Sequence, residues 1–586
     1  MAPPPLTAPA ASVGPSTPGE SIFHAKPWLG SAAILLLAVV PALGLLRHDF
    51  VFDSLLIIQD NTTVHSLTAP WELFAQEYWP PPYSGLYRPL SILLFSIEWA
   101  VAGGSPLVFH AVSIALYAGL CLAVYQLAKL LLPSLGAWAG AALFAGHPVH
   151  TESVAVAVNQ SELLVALLLT LATASYIVAR QTGAFGLKRA AGILSLFTLA
   201  FLVKEHALIL PGLLLAAEVT VVGSDQPWRD RLRHLRPFYL ASAMVGLALI
   251  LARASVLKGN FIGSYTADAL VGHSVGGRLL TMLSVVPEWA RLLLWPAHLQ
   301  IRYTPLEIEA AAGWGLDQTA GALILALAVW GTIRLWRRQP AASFALLWIG
   351  VALLPVHNVL VPTGVILAER TLLLASVGVV ILAGVALGWL AELGAATSSS
   401  YRHFPMVALV VLLGLGIGRT VDRYAVWQDQ FTLFQQTTID APLSYEAHYG
   451  YADLLAQMGR GQEAETEYQV AIQLFPKMED GTILARRTAK VYQDLGNLYR
   501  SSGLCLQAIE AYDNTLAQSA SMEYNEVRQS LIACLLYEGD YRRAAVEARI
   551  GITGGWNNAV FSPLLITADS ALAVSAPPGA VRVTME

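Results

Sequence analysis

Charge is what this chain has least of. Only 13% of its 586 residues are Asp, Glu, Lys or Arg, against about 25% in a soluble protein. Together with 55% apolar residues and a mean hydropathy of +0.56, the shortage excludes a disordered chain or a single soluble globule and points to the bilayer. A net charge of −5 provides no footprint for nucleic acid. Cysteine is also scarce. Cys121, Cys505 and Cys534 are too few for a disulfide framework or a thiolate metal cluster. Cys505 and Cys534 leave two readings: a pair in an extracytoplasmic domain or, preferred here, two buried free thiols in helix cores.

The deficit is uneven. Positions 420–549 hold 29 charged residues in 130, whereas the 419 positions before them hold 43. The expected fold class is therefore all-α, a polytopic helical membrane domain over 28–419 followed by a soluble one. Residues 1–27, rich in Ala, Pro, Ser and Thr, read as a disordered tail. The apolar run Trp28–Leu46 exceeds the roughly 7–15-residue core of a signal peptide and reads as an uncleaved first span. A polar first external loop, 48–108, follows, with a short amphipathic helix near Pro89–Val101. Apolar segments then recur near 109–132, 135–146, 161–179, 190–203, 207–222, 237–252, 319–336, 341–356, 371–391 and 405–418, while 278–297, interrupted by Pro287, Glu288 and Arg291, reads as either a span or an interfacial helix. The expected count is about 11 spans, several of them short of the ~20 residues of a straight transmembrane helix.

Lys and Arg concentrate in the short loops 180–189, 226–236 and 334–338. The positive-inside rule places these in the cytoplasm. Loops 48–108, 147–160, 203–206, 253–318 and 357–370 then share the opposite face, as does the C-terminal domain. The multi-pass chain is expected in a bacterial inner membrane, because its N-terminal stretch is short and motif-poor, or in the endoplasmic reticulum of a eukaryote.

The soluble domain, 420–556, is repetitive. A Gly is followed five residues later by Ala at Gly459/Ala464, Gly503/Ala508 and Gly539/Ala544. Ala452, Leu455, Tyr468, Ala471 and Pro476 fit the first 34-residue tetratricopeptide unit. Leu495, Gly496, Tyr499 and Tyr512 fit the second, and Leu535 fits the third. Units are expected at about 445–476, 489–522 and 525–556, with a tail over 557–586. Small residues let paired helices approach, and stacking buries the stripe that one pair cannot. Such repeats bind peptides or partner proteins and do no chemistry.

Chemistry-bearing residues gather in the loops of one face: Asp53, Arg88, His147, His150, Glu152, Glu162, Lys204, Glu205, Glu369 and Arg370. Ionisable residues at a membrane boundary are costly unless paired, solvated or functional. Transfer from a membrane-anchored phosphate donor needs a carboxylate to take the proton of an attacking hydroxyl. It also needs cations for the departing phosphate, Arg as a fork and Lys as a point charge. His147-x-x-His150 lacks a third ligand and is poor zinc geometry. No cofactor is expected, although Asp53, Glu152 and Glu369 meeting around a divalent cation is an alternative.

The order of an Asp after the first span, "YRPLS", "FH" at Phe109–His110, "FAGHPVHTESV", "SELL", "KEHA", "AER" and then the repeats resembles the transmembrane and tetratricopeptide repeat-containing O-mannosyltransferases. These belong to the GT-C glycosyltransferase superfamily. The likeness covers about residues 28–556 and includes bacterial relatives. It implies an inverting enzyme that moves a hexose such as mannose from a polyprenyl-phosphate donor to an acceptor hydroxyl, Ser or Thr of a protein, on the extracytoplasmic face. The repeats would bind the acceptor or a partner. By this resemblance Asp53 is the catalytic base, and Arg88, Lys204 and Arg370 bind the donor phosphate. His147, His150, Glu152, Glu205 and Glu369 shape the site. The chain departs from the pattern at Ser54, where a second Asp is usual, at Asn159-Gln160 in place of Gly-Arg, and at Leu373 and Ala375. Those departures motivate an alternative, a non-catalytic membrane-anchored repeat scaffold. A transporter would show matching halves with broken helices, and the membrane domain has no internal repetition.

Overall fold

The computed structural model describes residues 27–81, 85–223, 226–258, 266–303, 306–397, 403–475, 482–518, 525–554 and 558–575. The expected tail 1–27, except Pro27, lies outside them, as do Pro476 and the last residues of the second repeat. Among the described residues all regular structure is helical. The chain divides into two compact units at Leu433/Phe434, later than the expected boundary at 419. The last membrane helix, Phe404–Val426, continues unbroken past that point.

Among the described residues, seven helices of the first unit are long and apolar enough to cross a membrane: Trp28–Arg47, Pro106–Leu131, Ala157–Gln181, Trp228–Val256, Leu316–Leu335, Glu369–Leu393 and Phe404–Val426. The other expected segments are helical too, but shorter or more polar: Ser134–Ala145, Leu187–Val203, Leu210–Thr220, Val275–Leu294 and Pro340–Leu353. In the first span, Pro41 cannot donate to the preceding turn. The α-helix Pro27–Val39 accordingly gives way to a 3-10 stretch, Val40–Arg47.

Lipid tails supply no hydrophobic drive between helices, so close contact of small residues matters. A Cβ on Gly136 would lie 2.7 Å from the Gly384 carbonyl oxygen, and one on Gly140 2.6 Å from that of Val380. Backbones of Ser134–Ala145 and Leu373–Thr397 therefore touch directly. Gly378 does the same against the Ala345 carbonyl, at 2.6 Å, which draws in Pro340–Leu353. Helix Pro106–Leu131 packs on Gln160–Gln181, which in turn packs on Leu187–Val203.

The second unit is the expected repeat. Helix pairs run Tyr445–Gln457/Gly461–Leu474, Thr482–Ser501/Cys505–Gln518 and Asn525–Tyr537/Tyr541–Thr553. The turn glycines Gly459, Gly503 and Gly539 have φ of 74°, 74° and 81°, the left-handed region that other residues enter at a penalty. Ala464, Ala508 and Ala544 are fully buried where the paired helices meet. Gly496 lies against the Tyr512 ring. Cys505 and Cys534 are both buried free thiols. One expectation fails: residues 558–575 are not a tail but a helix, Asn558–Ser575, packed on the last pair. Its Phe561 is buried against Gly551. An apolar stripe on the third pair needs such a cover, as terminal repeats generally do.

Candidate active site

Two ionic clusters lie at opposite ends of the membrane unit. Helix Trp228–Val256 joins them, since Arg231 and Arg253 are 22 residues apart on it, or about 33 Å. At the Arg231 end, the fully buried Glu218 accepts hydrogen bonds from Arg180 Nε and Nη2 (3.0 Å each), Tyr176 Oη (2.8 Å) and Arg231 Nη1 (3.0 Å). Trp336 Nε1 donates to the Val219 carbonyl at 2.9 Å. The three basic loops thus converge, as the charge bias predicts. Glu218 is their hub, although as a lone carboxylate in an apolar run it carries no signal in the sequence.

The other end holds the expected site. The chain leaving the first span is pinned where it turns: Asp49 N–H donates to the Gln428 carbonyl (3.0 Å) and Phe52 N–H to Gln430 Oε1 (2.8 Å). Phe52 sits at φ 57°, a conformation strained for a bulky residue and kept only where surroundings over-determine it. The Arg302 guanidinium lies 5.0 Å from the Phe52 ring centre. The strained residue directly precedes Asp53. Asp53 is half-buried, its carboxylate makes no hydrogen bond among the described residues, and its charge acts on Arg370 and Tyr78. Ser54 points the other way. It is fully buried and its Oγ accepts from Val158 N–H at 3.3 Å, so it belongs to the packing of the 147–160 loop rather than to an open site.

Each of the three expected phosphate-binding cations already has a carboxylate. Arg88 grips Glu205 in a fork, Nε to Oε2 at 3.1 Å and Nη2 to Oε1 at 2.6 Å. It also lies 5.0 Å from the centre of the Tyr78 ring. Lys204 Nζ meets Glu162 Oε1. Arg370 meets Glu152 through its guanidinium, and its backbone N–H donates to Glu152 Oε2 at 2.9 Å. Burial alone would lower the pKa of Arg88, but Glu205 outweighs burial and raises it. Glu205 is itself held well below the usual carboxylate range by Arg88, against the pull of burial. Lys204 is the exception. Burial pulls its ammonium down to about 8, which Glu162 offsets only in part.

The remaining expected residues have structural partners. His150 sits in the core, its Nδ1 bonded to Tyr117 Oη (2.9 Å) and its Nε2 to Ser376 Oγ (2.8 Å). His147 Nε2 bonds the Leu293 carbonyl at 3.0 Å, and its Nδ1 accepts from Val149 N–H at 3.3 Å. Burial lowers the pKa of His147 to about 4 and that of His150 well below its usual value, so both rings are neutral and tie helix ends together. Glu369 faces a different loop, accepting from Gln300 N–H at 2.5 Å and Tyr303 Oη at 3.3 Å. Asn159 and Gln160 turn inward: Asn159 Nδ2 donates to the Glu152 carbonyl (3.1 Å), and Gln160 Nε2 to Glu98 and to the Phe109 carbonyl (3.2 and 2.9 Å). No three His, Cys, Asp or Glu side chains gather as a metal site among the described residues. Sequence reasoning does not single out Tyr78, nor Arg253, whose Nη1 is 3.8 Å from Glu205 Oε2.

The architecture defines a class: a polytopic helical membrane unit with a paired-ion cluster at one end, followed by a tetratricopeptide-type solenoid. The chain resembles the protein O-mannosyl-transferases over most of its length. It is 28% identical over 531 residues to human protein O-mannosyl-transferase TMTC1, covering 81% of this chain and 57% of that protein. For mouse protein O-mannosyl-transferase TMTC3 the identity is 26% over 542 residues, covering 81% and 58%. The chain spans less than three-fifths of the length of these two relatives. No protein-family profile matches it. Among solved structures, the apo Archaeoglobus fulgidus oligosaccharyltransferase superposes loosely, with a TM-score of 0.39 at 15% identity over 68% of this chain and 56% of that one.

Proposed function

We propose that the chain is an inverting membrane glycosyltransferase that moves a hexose, mannose by likeness to its relatives, from a polyprenyl-phosphate donor to a Ser or Thr hydroxyl of a protein. The observation that carries this reading is the Asp53 carboxylate. It is free of hydrogen bonds among the described residues and follows a strained residue. Its charge acts on Arg370, one of a set of largely buried cations. A carboxylate with no fixed partner is available to accept a proton, and fixed cations stabilise charge where it develops.

The acceptor oxygen attacks the anomeric carbon from the face opposite the phosphate and loses its proton to Asp53. The bond from that carbon to the phosphate oxygen breaks, and the phosphate leaves with the electron pair. Arg88, Lys204 and Arg370 receive it by exchanging part of their contact with Glu205, Glu162 and Glu152. Both the site and the repeats would lie on the extracytoplasmic face, with the Glu218 cluster in the cytoplasmic headgroup region, and the repeats would hold the acceptor or a partner.

A second reading, a non-catalytic scaffold, is favoured by one observation: all three expected phosphate ligands are already neutralised by carboxylates. Turnover of polyprenyl-phosphate mannose by the purified chain separates the two. Asp53→Asn should lower transfer by about 10²–10⁴-fold, the worth of a general base, without loss of fold, and Arg370→Ala should weaken it as well. Full activity in Asp53→Asn would remove that residue from the mechanism, and a wild-type chain that neither binds nor turns over any lipid-phosphate sugar would leave the scaffold.

A further inference from the structure

The geometry points to Arg253 as a fourth cation of the donor site, one that binds the phosphate of a polyprenyl-phosphate sugar directly; this rests on the glycosyltransferase reading above. Arg253 lies in the last turn of helix Trp228–Val256 and is buried, with 10% of its side chain exposed. Among the described residues the acidic group near it is Glu205, and Arg88 already donates a hydrogen bond to each of the two oxygens of Glu205. Glu205 Oε2 is 3.8 Å from Arg253 Nη1, too far for a hydrogen bond. That nitrogen is buried with no hydrogen-bond partner among the described residues. Buried donors are rarely left so, and a charged one is costly.

Grouped by direct ion pairs, the charges of the site fall into two sets. Arg88, Lys204 and Arg253 face two carboxylates, Glu205 and Glu162, which leaves one positive charge over. His206, 3.8 Å from Glu162, does not change the count, because burial lowers its pKa and the ring is neutral at pH 7. Arg370 with Glu152 and Asp53 leaves one negative charge over. A sugar phosphodiester is a monoanion. Placed at the first set it restores neutrality there, satisfies Arg253 Nη1, and leaves Asp53 as the unmatched base. Glu205 has the most exposed side chain of the first set, 26% against 11% for Arg88 and 10% for Arg253. The polar approach to both guanidiniums therefore runs past it.

The test measures donor KM and kcat with polyprenyl-phosphate mannose, and Kd for polyprenyl monophosphate, in wild type, Arg253→Gln and Arg253→Lys. Arg253→Gln should raise KM and Kd about 10- to 100-fold, as expected for losing a hydrogen bond to a charged group, with a smaller change in kcat. Arg253→Lys, which keeps the charge without the fork, should fall between. The same substitution in a Glu205→Gln background separates contact from mere support: a phosphate ligand keeps its effect there, whereas a residue that only positions Glu205 loses it. Unchanged KM and Kd in Arg253→Gln, or an effect that vanishes with Glu205→Gln, overturns the assignment while wild-type mannose transfer leaves the enzyme reading intact. Arg253-dependent binding of polyprenyl monophosphate by a chain that transfers no sugar would keep the anion site and discard the enzyme. A chain that binds neither lipid discards both.

Discussion

Raising the pH from 7 to 9 should weaken donor binding through one residue, Lys204. Its ammonium titrates at about 8 because burial between helix Leu187–Val203 and Glu205 removes water that no partner fully replaces. With that value the charged fraction falls from about 0.9 at pH 7 to about 0.1 at pH 9, so donor KM should rise about tenfold. Of the groups proposed to contact the donor, the guanidiniums stay protonated, Glu205 stays ionised, and a phosphodiester keeps its single charge. The assay is initial-rate transfer from polyprenyl-phosphate mannose at several donor concentrations across that range. Lys204→Arg, which cannot be discharged, should flatten the profile. Stability moves the other way. A lysine whose pKa is depressed on folding favours the folded state above its unfolded value of 10.5, and loses that contribution as pH falls through about 8. The linkage of Lys204 itself to folding therefore does not mimic the expected loss. A donor KM that is flat from pH 7 to 9 in wild type, or equally steep in Lys204→Arg, refutes the reasoning.

Ser54→Asp should not supply a second base. It would bury a carboxylate at a fully enclosed position where Val158 N–H is the one recorded donor, so stability should drop in a thermal melt and transfer should not rise; rescue of Asp53→Asn by Ser54→Asp would show the opposite. Glu218→Gln leaves Arg180 and Arg231 without their shared counter-charge and should destabilise the membrane unit by about 3–5 kcal/mol, measured by denaturation in detergent. An unchanged midpoint would mean that waters or lipid headgroups do Glu218's work. Gly503→Ala forces a side chain into φ 74° with nothing within 4 Å of its Cβ, so backbone strain alone should destabilise the second repeat by about 1–2 kcal/mol. Hydrogen exchange in Thr482–Ser501 and Cys505–Gln518 would report it, and unaltered protection would argue against the strained turn.

Local pattern carried the sequence reading where period and composition are enough. Apolar runs marked the membrane helices, and the Gly-to-Ala spacing marked the repeats, because a turn glycine and a buried small residue are needed within one helix pair. The same logic failed at Asn558–Ser575, where a helix exists because it covers the last pair, a fact about its neighbour and not about its own periodicity. Charge bias also proved sufficient to bring Arg180, Arg231 and Trp336 to one end and Asp53, Arg88, Lys204 and Arg370 to the other, since each apolar run returns the chain across a fixed thickness. What the sequence could not determine was pairing. Arg88 meets Glu205 across 117 positions, Arg370 meets Glu152 across 218, and Lys204 takes Glu162 across 42. Neither does any one-dimensional pattern show that Glu205 closes on Arg88 while Arg253 stays 3.8 Å away, or that His150 is locked between Tyr117 and Ser376. Those outcomes depend on distances of a few tenths of an ångström between side chains from different helices, and only tertiary packing fixes them.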